Sequence, residues 1–223
     1  MKLEDFLTPA LLDLEHTLAA PLLREFAYPW EALPHIGEFI LALGPRLPKD
    51  KFAEIKEHVW AANDAAIAPT ASLTGPAIIG EGAEIRHCAF LRGSALIGKG
   101  CVIGNSCEVK NAIIFDQAEV PHFNYVGDSI LGYHAHLGAG AVTSNIKSDR
   151  SDVKLALGEI TIKTKLRKMG AIIGDYAEIG CNSVLNPGSL IGRRATVYPL
   201  SSIRGAVPKE SIYKGPGDIV KKK

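Results

Sequence analysis

The residues best suited to chemistry lie in and just before the stretch VPHFNYVGDSILG, residues 120–132. His122 carries a side chain that exchanges a proton near neutral pH, and Tyr125 follows three positions later. Arg92 and Lys110 stand 18 residues apart, and their side chains are well suited to binding a phosphate. If the fold brings these four side chains together, they would place an acid–base group beside an anion pocket.

These residues stand inside a six-residue repeat. Aliphatic side chains recur at every sixth position from Ile67 to Val109 and again from Ile173 to Ile203, and between these runs two steps shorten to five. A small side chain stands four positions after most of them, so both point to the same side of a strand. The pattern predicts an all-β solenoid, a left-handed parallel β-helix in which three hexapeptides make one triangular coil of 18 residues.

The coil length determines which outward side chains are neighbours. Arg92 and Lys110 are one coil apart, so we expect them to stack about 4.8 Å from each other on one face. At that distance two cations repel by about 1 kcal/mol even in water, which indicates a bound anion; two solvated surface cations are the alternative. His122 occupies an outward position, and Tyr125 turns the corner toward the face of the two cations.

The first part of the chain, residues 1–54, has no such period and is predicted to be a helical N-terminal cap. Thr8 reads as an N-cap and Pro9 as the first helical residue. A second helical stretch is expected over 28–44, ending at Gly44. We expect this part to cover the first coil, since an exposed solenoid end would aggregate.

The remaining chain divides into a β-helix over 55–216, with a loop insertion at 146–170, and a basic tail at 217–223. A long loop in a compact repeat is usually functional. The insertion is interpreted either as a solvated excursion or as an arm that meets an anionic ligand or a neighbouring subunit. Its basic residues are Lys147, Arg150, Lys154, Lys163, Lys165, Arg167 and Lys168.

Composition excludes several classes of protein. The chain has 25 Lys and Arg against 24 Asp and Glu, which gives no indication of a nucleic-acid or membrane partner. It shows neither a signal peptide nor a stretch of about 20 apolar residues. The four cysteines form no C-x-x-C pair and no zinc spacing, and Cys101 and Cys107 fall in the small interior column. A cytoplasmic protein with reduced thiols and no metal is expected.

Four motifs make the chain recognisable. They are LRGS, VKNA, HFNYVGD and GAGAVTSN, all within residues 89–145. This segment resembles the acetyltransferase part of the bifunctional glucosamine-1-phosphate acetyltransferase/N-acetylglucosamine-1-phosphate uridylyltransferase family. Residues 165–192 look more like its archaeal sugar-1-phosphate nucleotidylyltransferase branch. The similarity covers about residues 55–216.

The resemblance implies roles for individual residues. His122 would be the general base that takes a proton from the sugar amine. The residues implied to hold the sugar phosphate and the amino sugar are Arg92, Lys110, Tyr125, His136 and Asn145. Those implied to border acetyl-CoA are Ala139 and Cys181, with Lys165 and Lys168 as lysines that would approach it.

The implied activity is acetyl-CoA-dependent N-acetylation of an amino-sugar 1-phosphate, by direct transfer in a homotrimer with shared active sites. No cysteine has an outward histidine beside it at a motif position, which argues against a covalent acyl-enzyme. The family usually has Asn at His136 and Asn-Tyr where Asn145-Ile146 stands, so glucosamine and galactosamine both remain open as the sugar. The family's glycine-rich nucleotide loop and preceding α/β domain are absent from these 223 residues, so we expect no nucleotidyltransferase activity.

Three alternatives remain. Another acyltransferase of this fold would act on a different acceptor. A non-catalytic module would bind a sugar phosphate or a nucleotide sugar. A γ-class carbonic anhydrase would need three histidines around a metal, and the spacing of His134 and His136, with both rings expected on one strand face, does not match that family's H-x-x-x-x-H.

Overall fold

The six-residue period folds as predicted into a left-handed parallel β-helix of about eight turns. The computed structural model describes residues 2–157 and 160–222. Large and small side chains alternate with outward ones along each strand: Ala77 and Ile79 lie in the solenoid interior, whereas Ile78 between them points outward. The interior column of aliphatic and small residues is therefore confirmed.

Each coil contributes a strand to each of three faces. Face 1 consists of β2 (Val59–Ala62), β5 (Ala77–Ile79), β8 (Ala95–Ile97), the second halves of β10 (Glu108–Ile114) and β12 (Tyr125–Leu131), β17 (Ala171–Ile173), β20 (Ser189–Ile191) and β23 (Ala206–Val207). Its first edge is closed by β1 (Phe52–Lys56), which pairs with β2 in the antiparallel sense. The predicted boundary at residue 55 thus falls inside an antiparallel strand.

Face 2 carries the His122 strand. It consists of β3 (Ala66–Ile67), β6 (Glu84–Ile85), β9 (Val102–Asn105), β11 (Glu119–His122), β13 (His136–Leu137), β18 (Glu178–Ile179), β21 (Thr196–Val197), β24 (Ser211–Gly215) and β25 (Asp218–Lys221). The last strand, β25, pairs with β24 in the antiparallel sense and closes the far edge of this face. The expected tail at 217–223 is therefore largely a strand.

Face 3 carries Arg92 and Lys110. It consists of β4 (Ser72–Thr74), β7 (Phe90–Arg92), the first halves of β10 and β12, β14 (Val142–Thr143), β19 (Val184–Leu185) and β22 (Ser202–Ile203). Strands β10 and β12 continue from face 3 onto face 1, so these two coils have 17 residues, as in the pairing of Ala112 with Ser129. One residue in the left-handed region makes each corner, Asn111 with φ 47° and Asp128 with φ 48°. The two five-residue steps of the sequence correspond to these corners.

The N-terminal segment is helical, as predicted, but it packs along face 1. Its α-helices are α1 (Thr8–Leu11), α2 (Ala20–Leu23) and α3 (Ile36–Leu43), and its 3-10 turns are Leu3–Phe6, Leu14–His16, Pro29–His35 and Gly44–Arg46. It covers outward apolar side chains of successive coils, namely Ile78, Leu96, Ile113, Ile130, Ile172 and Leu190. The expectation of a cover on the first coil alone was wrong, because the apolar surface to be buried extends along the whole face. Within the described residues no helix is long and apolar enough to cross a membrane.

The start of α1 also differs from the prediction. Leu7, not Thr8, is the N-cap residue, and no side chain caps the helix. The Thr8 hydroxyl instead donates to the carbonyl oxygens of Phe26 and Ala27, at 3.2 and 3.1 Å. Thr8 therefore joins two parts of the N-terminal segment.

The insertion is an ordered hairpin rather than an irregular loop. Strands β15 (Lys154–Leu157) and β16 (Ile160–Lys163) pair in the antiparallel sense. The buried side chains of Val153, Leu155 and Met169 join the apolar cluster on face 1. The insertion leaves and re-enters the solenoid at the corner between faces 3 and 1.

Two of the four cysteines are interior, as predicted. Cys101 and Cys107 are buried, while Cys88 and Cys181 are exposed. Burial raises the pKa of Cys101 to about 12 and also raises the pKa of Cys107. Both interior thiols are therefore unreactive near neutral pH.

Asp175 fastens the N-terminal segment to the solenoid. Its carboxylate is fully buried and accepts from the backbone N–H groups of Asp13 at 2.8 Å and Tyr133 at 2.9 Å. It also pairs with the guanidinium of Arg193. One carboxylate thus links the segment to two coils.

We predict that Asp175→Ala lowers the free energy of unfolding by about 3 kcal/mol or more, because it leaves Arg193 and two buried N–H groups without their acceptor. Urea unfolding measures the change. Asp152→Ala, at an exposed carboxylate, is the control and should change it by less than about 0.5 kcal/mol. Equal effects of the two substitutions would contradict this role for Asp175.

Candidate functional site

His122 lies at the end of β11, where the chain turns from face 2 to face 3, and its side chain is exposed. A buried amide fixes its backbone: the side-chain oxygen of Asn124 accepts from the His122 N–H at 3.0 Å. The Asn124 amide nitrogen donates to the carbonyl oxygens of Gly138 and Ala141, at 2.8 and 3.0 Å. Asn124 is only 3% exposed, so it locks the His122 corner to the next coil.

The strand that presents His122 lies unusually close to its neighbour. His122 pairs with Asn105 of the preceding coil. A Cβ on Gly104 would lie 1.6 Å from the carbonyl oxygen of Pro121. Only glycine at position 104 leaves room for the Pro121–His122 backbone.

Ala139 and Cys181 continue the outward column of His122 in the next two coils. Glu119 pairs with His136 and His136 pairs with Glu178, so the positions three residues further along are His122, Ala139 and Cys181. The Gly140 N–H donates to the His122 carbonyl oxygen at 2.9 Å, and the Asn182 N–H donates to that of Ala139 at 2.8 Å. With about 4.8 Å per coil, the two residues predicted to border acetyl-CoA extend roughly 10 Å from His122 along the solenoid axis.

Arg92 and Lys110 stack on face 3 as predicted, since Leu91 pairs with Val109 in the adjacent strand. Each of the two cations, however, has a carboxylate partner. Arg92 donates to Glu108 at 2.6 Å, and Lys110 contacts Asp128 at 3.4 Å. The charge repulsion that indicated a bound anion is therefore already balanced within the chain.

Asp128 is the centre of a polar network that the sequence interpretation missed. Its carboxylate accepts from the side-chain amides of Asn111, at 2.9 Å, and Asn145, as well as contacting Lys110. Asp128 is only 5% exposed. The signal was present in the motifs, because Asn111 ends V-K-N and Asp128 ends H-x-x-Y-x-G-D, but neither was assigned a role.

Tyr125 joins this network through its hydroxyl, which accepts from the Asn145 amide at 3.1 Å. Burial raises the pKa of Tyr125, and the charges of Asp128 and Glu108 raise it further. A Cβ on Gly127 would lie 2.4 Å from the Tyr125 hydroxyl oxygen, so the ring occupies space that glycine leaves free. The phenol is protonated at neutral pH and keeps a hydrogen to donate.

His136 lies apart from the other predicted sugar residues. It is on face 2, where its Nδ1 atom lies 2.9 Å from the Glu178 carboxylate. His134, two residues earlier, is in a left-handed turn with φ 52° and stacks on Tyr176. The expectation that both rings share one strand face was therefore wrong. Among the described residues of this single chain no His, Cys, Asp and Glu side chains form a group of three that could hold a metal.

Lys165 and Lys168 also lie away from the Ala139–Cys181 column. They line a cleft of about 850 Å³ at the corner between faces 3 and 1, together with Asn111 and Asp128. The His122 column lies at the other edge of face 3. Within one chain these lysines are thus grouped with the Asp128 network.

An outward histidine does lie beside a cysteine, although not at a motif position. His87 Nε2 is 3.3 Å from the sulfur of Cys88, and its Nδ1 is 2.7 Å from the Thr70 hydroxyl. His87 is two coils before His122 in the same column. It therefore provides a matched comparison for His122.

We predict that Asn124→Ala destabilises the protein by at least about 2 kcal/mol, because it leaves buried backbone groups without partners. It should also shift the NMR signals of the His122 ring, since the corner loses its anchor. Asn105→Ala removes a single exposed hydrogen bond to the His87 carbonyl oxygen and should cost less than about 1 kcal/mol. Unchanged stability and unchanged His122 signals in Asn124→Ala would disprove the anchoring role.

The fold and the motifs define a hexapeptide-repeat β-helix protein, and the known proteins that match it agree. The family model described as the GMPPB C-terminal domain matches residues 73–165. GlmU, a bifunctional protein of Methanococcus vannielii, is 30% identical over 219 residues, covering 90% of this chain and 49% of that protein. The bifunctional sugar-1-phosphate nucleotidylyltransferase/acetyltransferase of Sulfurisphaera tokodaii is 36% identical over 113 residues, 51% of this chain and 27% of that protein.

The chain thus resembles the acetyltransferase part of these bifunctional proteins, as its motifs predict. It spans about half the length of the M. vannielii relative. Among solved structures, the polySia-specific acetyltransferase NeuO has a TM-score of 0.47 and 14% identity, with 74% of this chain and 76% of that chain covered. A mutant of perosamine N-acetyltransferase from Caulobacter crescentus, in complex with CoA and GDP-perosamine, has a TM-score of 0.33 and 19% identity, with 69% and 51% covered.

Proposed function

We propose that this chain is an acetyl-CoA-dependent N-acetyltransferase that acts on an amino-sugar 1-phosphate, either glucosamine-1-phosphate or galactosamine-1-phosphate. The observation that carries the proposal is the position of His122. Its exposed imidazole stands where the Ala139–Cys181 column meets face 3, which carries Tyr125 and Lys110. An acetyl donor along the column and a sugar phosphate on face 3 would meet at this imidazole.

The chemistry is direct acyl transfer. His122 takes a proton from the sugar amine, whose nitrogen attacks the thioester carbon of acetyl-CoA. The tetrahedral intermediate collapses by breaking the C–S bond, and the proton held by His122 passes to the CoA thiolate. No acyl group is carried by the protein.

The backbone around Ala139 supplies a candidate for the oxyanion. The N–H groups of Gly138, Gly140 and Ala141 all donate to backbone carbonyl oxygens. The Ala139 N–H donates to no backbone oxygen or side chain in the described part of the chain. It lies one coil from His122 and suits an oxygen that becomes negative during the reaction.

We predict that His122→Ala lowers the rate of sugar-dependent acetylation about 100-fold or more, the scale of a lost general base. N-acetylated sugar phosphate should be measured by mass spectrometry, because the exposed thiols of Cys88 and Cys181 would react with a thiol reagent. His87→Ala, in the same outward column, is the control and should retain activity.

Each outcome has a definite meaning. Undiminished transfer by His122→Ala would discard the base while keeping the acetyltransferase. Absence of product with both amino-sugar phosphates would reject the proposed acceptors and favour another acceptor or a binding module.

We also propose that the chain is a homotrimer in which neighbouring subunits complete each site. The corner between faces 2 and 3 exposes two large apolar side chains, Phe123 at 63% and Leu200 at 80%. These residues flank the His122 column, where a single chain provides no opposing wall. A neighbouring solenoid would cover both of them.

We predict a solution mass of three chains of 23.8 kDa by light scattering, shifted toward the monomer by the combined Phe123→Ser and Leu200→Ser substitutions. Burying each of these side chains is worth about 1.5–3 kcal/mol. Leu41→Ser, at an exposed leucine on α3, is the control and should leave the mass unchanged. A monomeric unmodified protein would overturn the proposed assembly.

A further inference from the structure

The cleft at the corner between faces 3 and 1 has three walls of different origin. The insertion contributes most of the lining, and Leu33 and Pro34 of the N-terminal segment stand opposite. Asn111 and Asp128, the two left-handed corner residues, contribute the solenoid side. An Asn111 amide hydrogen bond to the Leu33 carbonyl oxygen, at 3.2 Å, ties two of these walls together.

The charge of the cleft is strongly positive. Its cationic lining residues are Lys147, Arg150, Lys165, Arg167 and Lys168. Lys147 contacts Asp149 at 3.4 Å, while the other four form no ion pair with any residue in the described part of the chain. The carboxylate of Asp128 is already engaged by Lys110, as well as by the amides of the network around it.

The cations are held in place by the backbone on both sides of the insertion. Ile146 and Lys168 form an antiparallel bridge, and the Met169 N–H donates to the Asn145 carbonyl oxygen at 3.0 Å. Further out, the Val153 N–H donates to the carbonyl oxygen of Leu166 at 2.8 Å. A cluster of like charges on an anchored backbone is prepared for an anion before it arrives.

The size and polarity of the cleft indicate more than a phosphate ion. Its volume of about 850 Å³ lies in the range of sites that hold whole organic ligands. Leu33, Pro34, Ile146 and Leu166 add apolar surface beside the charges. A ligand with several phosphate charges and an organic part would fit both features.

We propose that this cleft is a binding site for a nucleoside diphosphate ester. It is separate from the acyl-transfer position, because Asp128 lies three residues, or roughly 10 Å, along β12 from Tyr125. The diphosphate contacts Arg150, Lys165, Arg167 and Lys168, and the nucleoside lies on the apolar wall. Coenzyme A and a nucleotide sugar both contain this group.

The test is calorimetric binding of UDP, ADP, CoA and inorganic phosphate to the full chain. We expect at least one of the three diphosphates to bind at least about 10-fold more tightly than phosphate, and the combined Lys165→Gln and Lys168→Gln substitutions to weaken it about 10-fold or more, as for lost charge-assisted hydrogen bonds. Lys163→Gln is the matched control, since Lys163 is exposed on the same insertion but does not line the cleft. It should leave the affinity unchanged.

The pattern of binding identifies the source of the diphosphate. Binding of CoA alone, lost in the double variant, would assign the cleft to the acyl donor, whereas binding of UDP or ADP without competition from CoA would assign it to a second ligand. Failure of all three diphosphates to bind, or equal weakening by Lys163→Gln, would overturn the proposal. Because the readout is binding, this result is independent of whether acetyl transfer is observed.

Discussion

The constraint on which the rest of the structure depends is the register between successive coils. Each coil must place its aliphatic and small side chains over those of the coil before, since a slip of one residue would turn every interior side chain outward. Chain length can therefore change only at the corners. The corner between faces 3 and 1 takes up both kinds of change: it is one residue shorter at Asn111 and at Asp128, and it admits the insertion at 146–170. The polar network and the basic cleft lie at this corner because side chains there are released from the repeat.

Sequence periodicity predicted the interior and most of the outward columns, because both follow from counting. The stacking of Arg92 on Lys110 and the outward position of His122 were of this kind. The ion pairs of Arg92 with Glu108 and of Lys110 with Asp128 were not, since they depend on how far side chains reach across strands. The 17-residue coils also hid the alignment of His122 with Ala139, which an unbroken 18-residue count does not show.

The docking of the N-terminal segment had a sequence signal of its own. Just before each interior aliphatic residue on face 1 stands a second apolar residue, as at Ile78, Leu96 and Ile113, whereas faces 2 and 3 mostly have polar residues there. Burying one such side chain is worth about 1.5–3 kcal/mol, so a whole row of them requires a cover along the face. Because that cover reaches Leu33 at the shared corner, the segment shapes a wall of the cleft as well as stabilising the solenoid.

Charge is distributed very differently at the two edges of face 3. Arg92 and Lys110 sit beside carboxylates, so a phosphate placed there meets a nearly neutral surface and gains orientation more than attraction. The four cations of the cleft have no such partners among the described residues, and they act together over a distance comparable to the screening length at physiological salt, about 8 Å. Attraction of an anionic ligand to this chain therefore comes mainly from the insertion, while the direction in which a sugar phosphate lies is set by the paired residues of face 3. This division explains why a hairpin so rich in Lys and Arg is anchored to the solenoid at the corner that also holds Asp128.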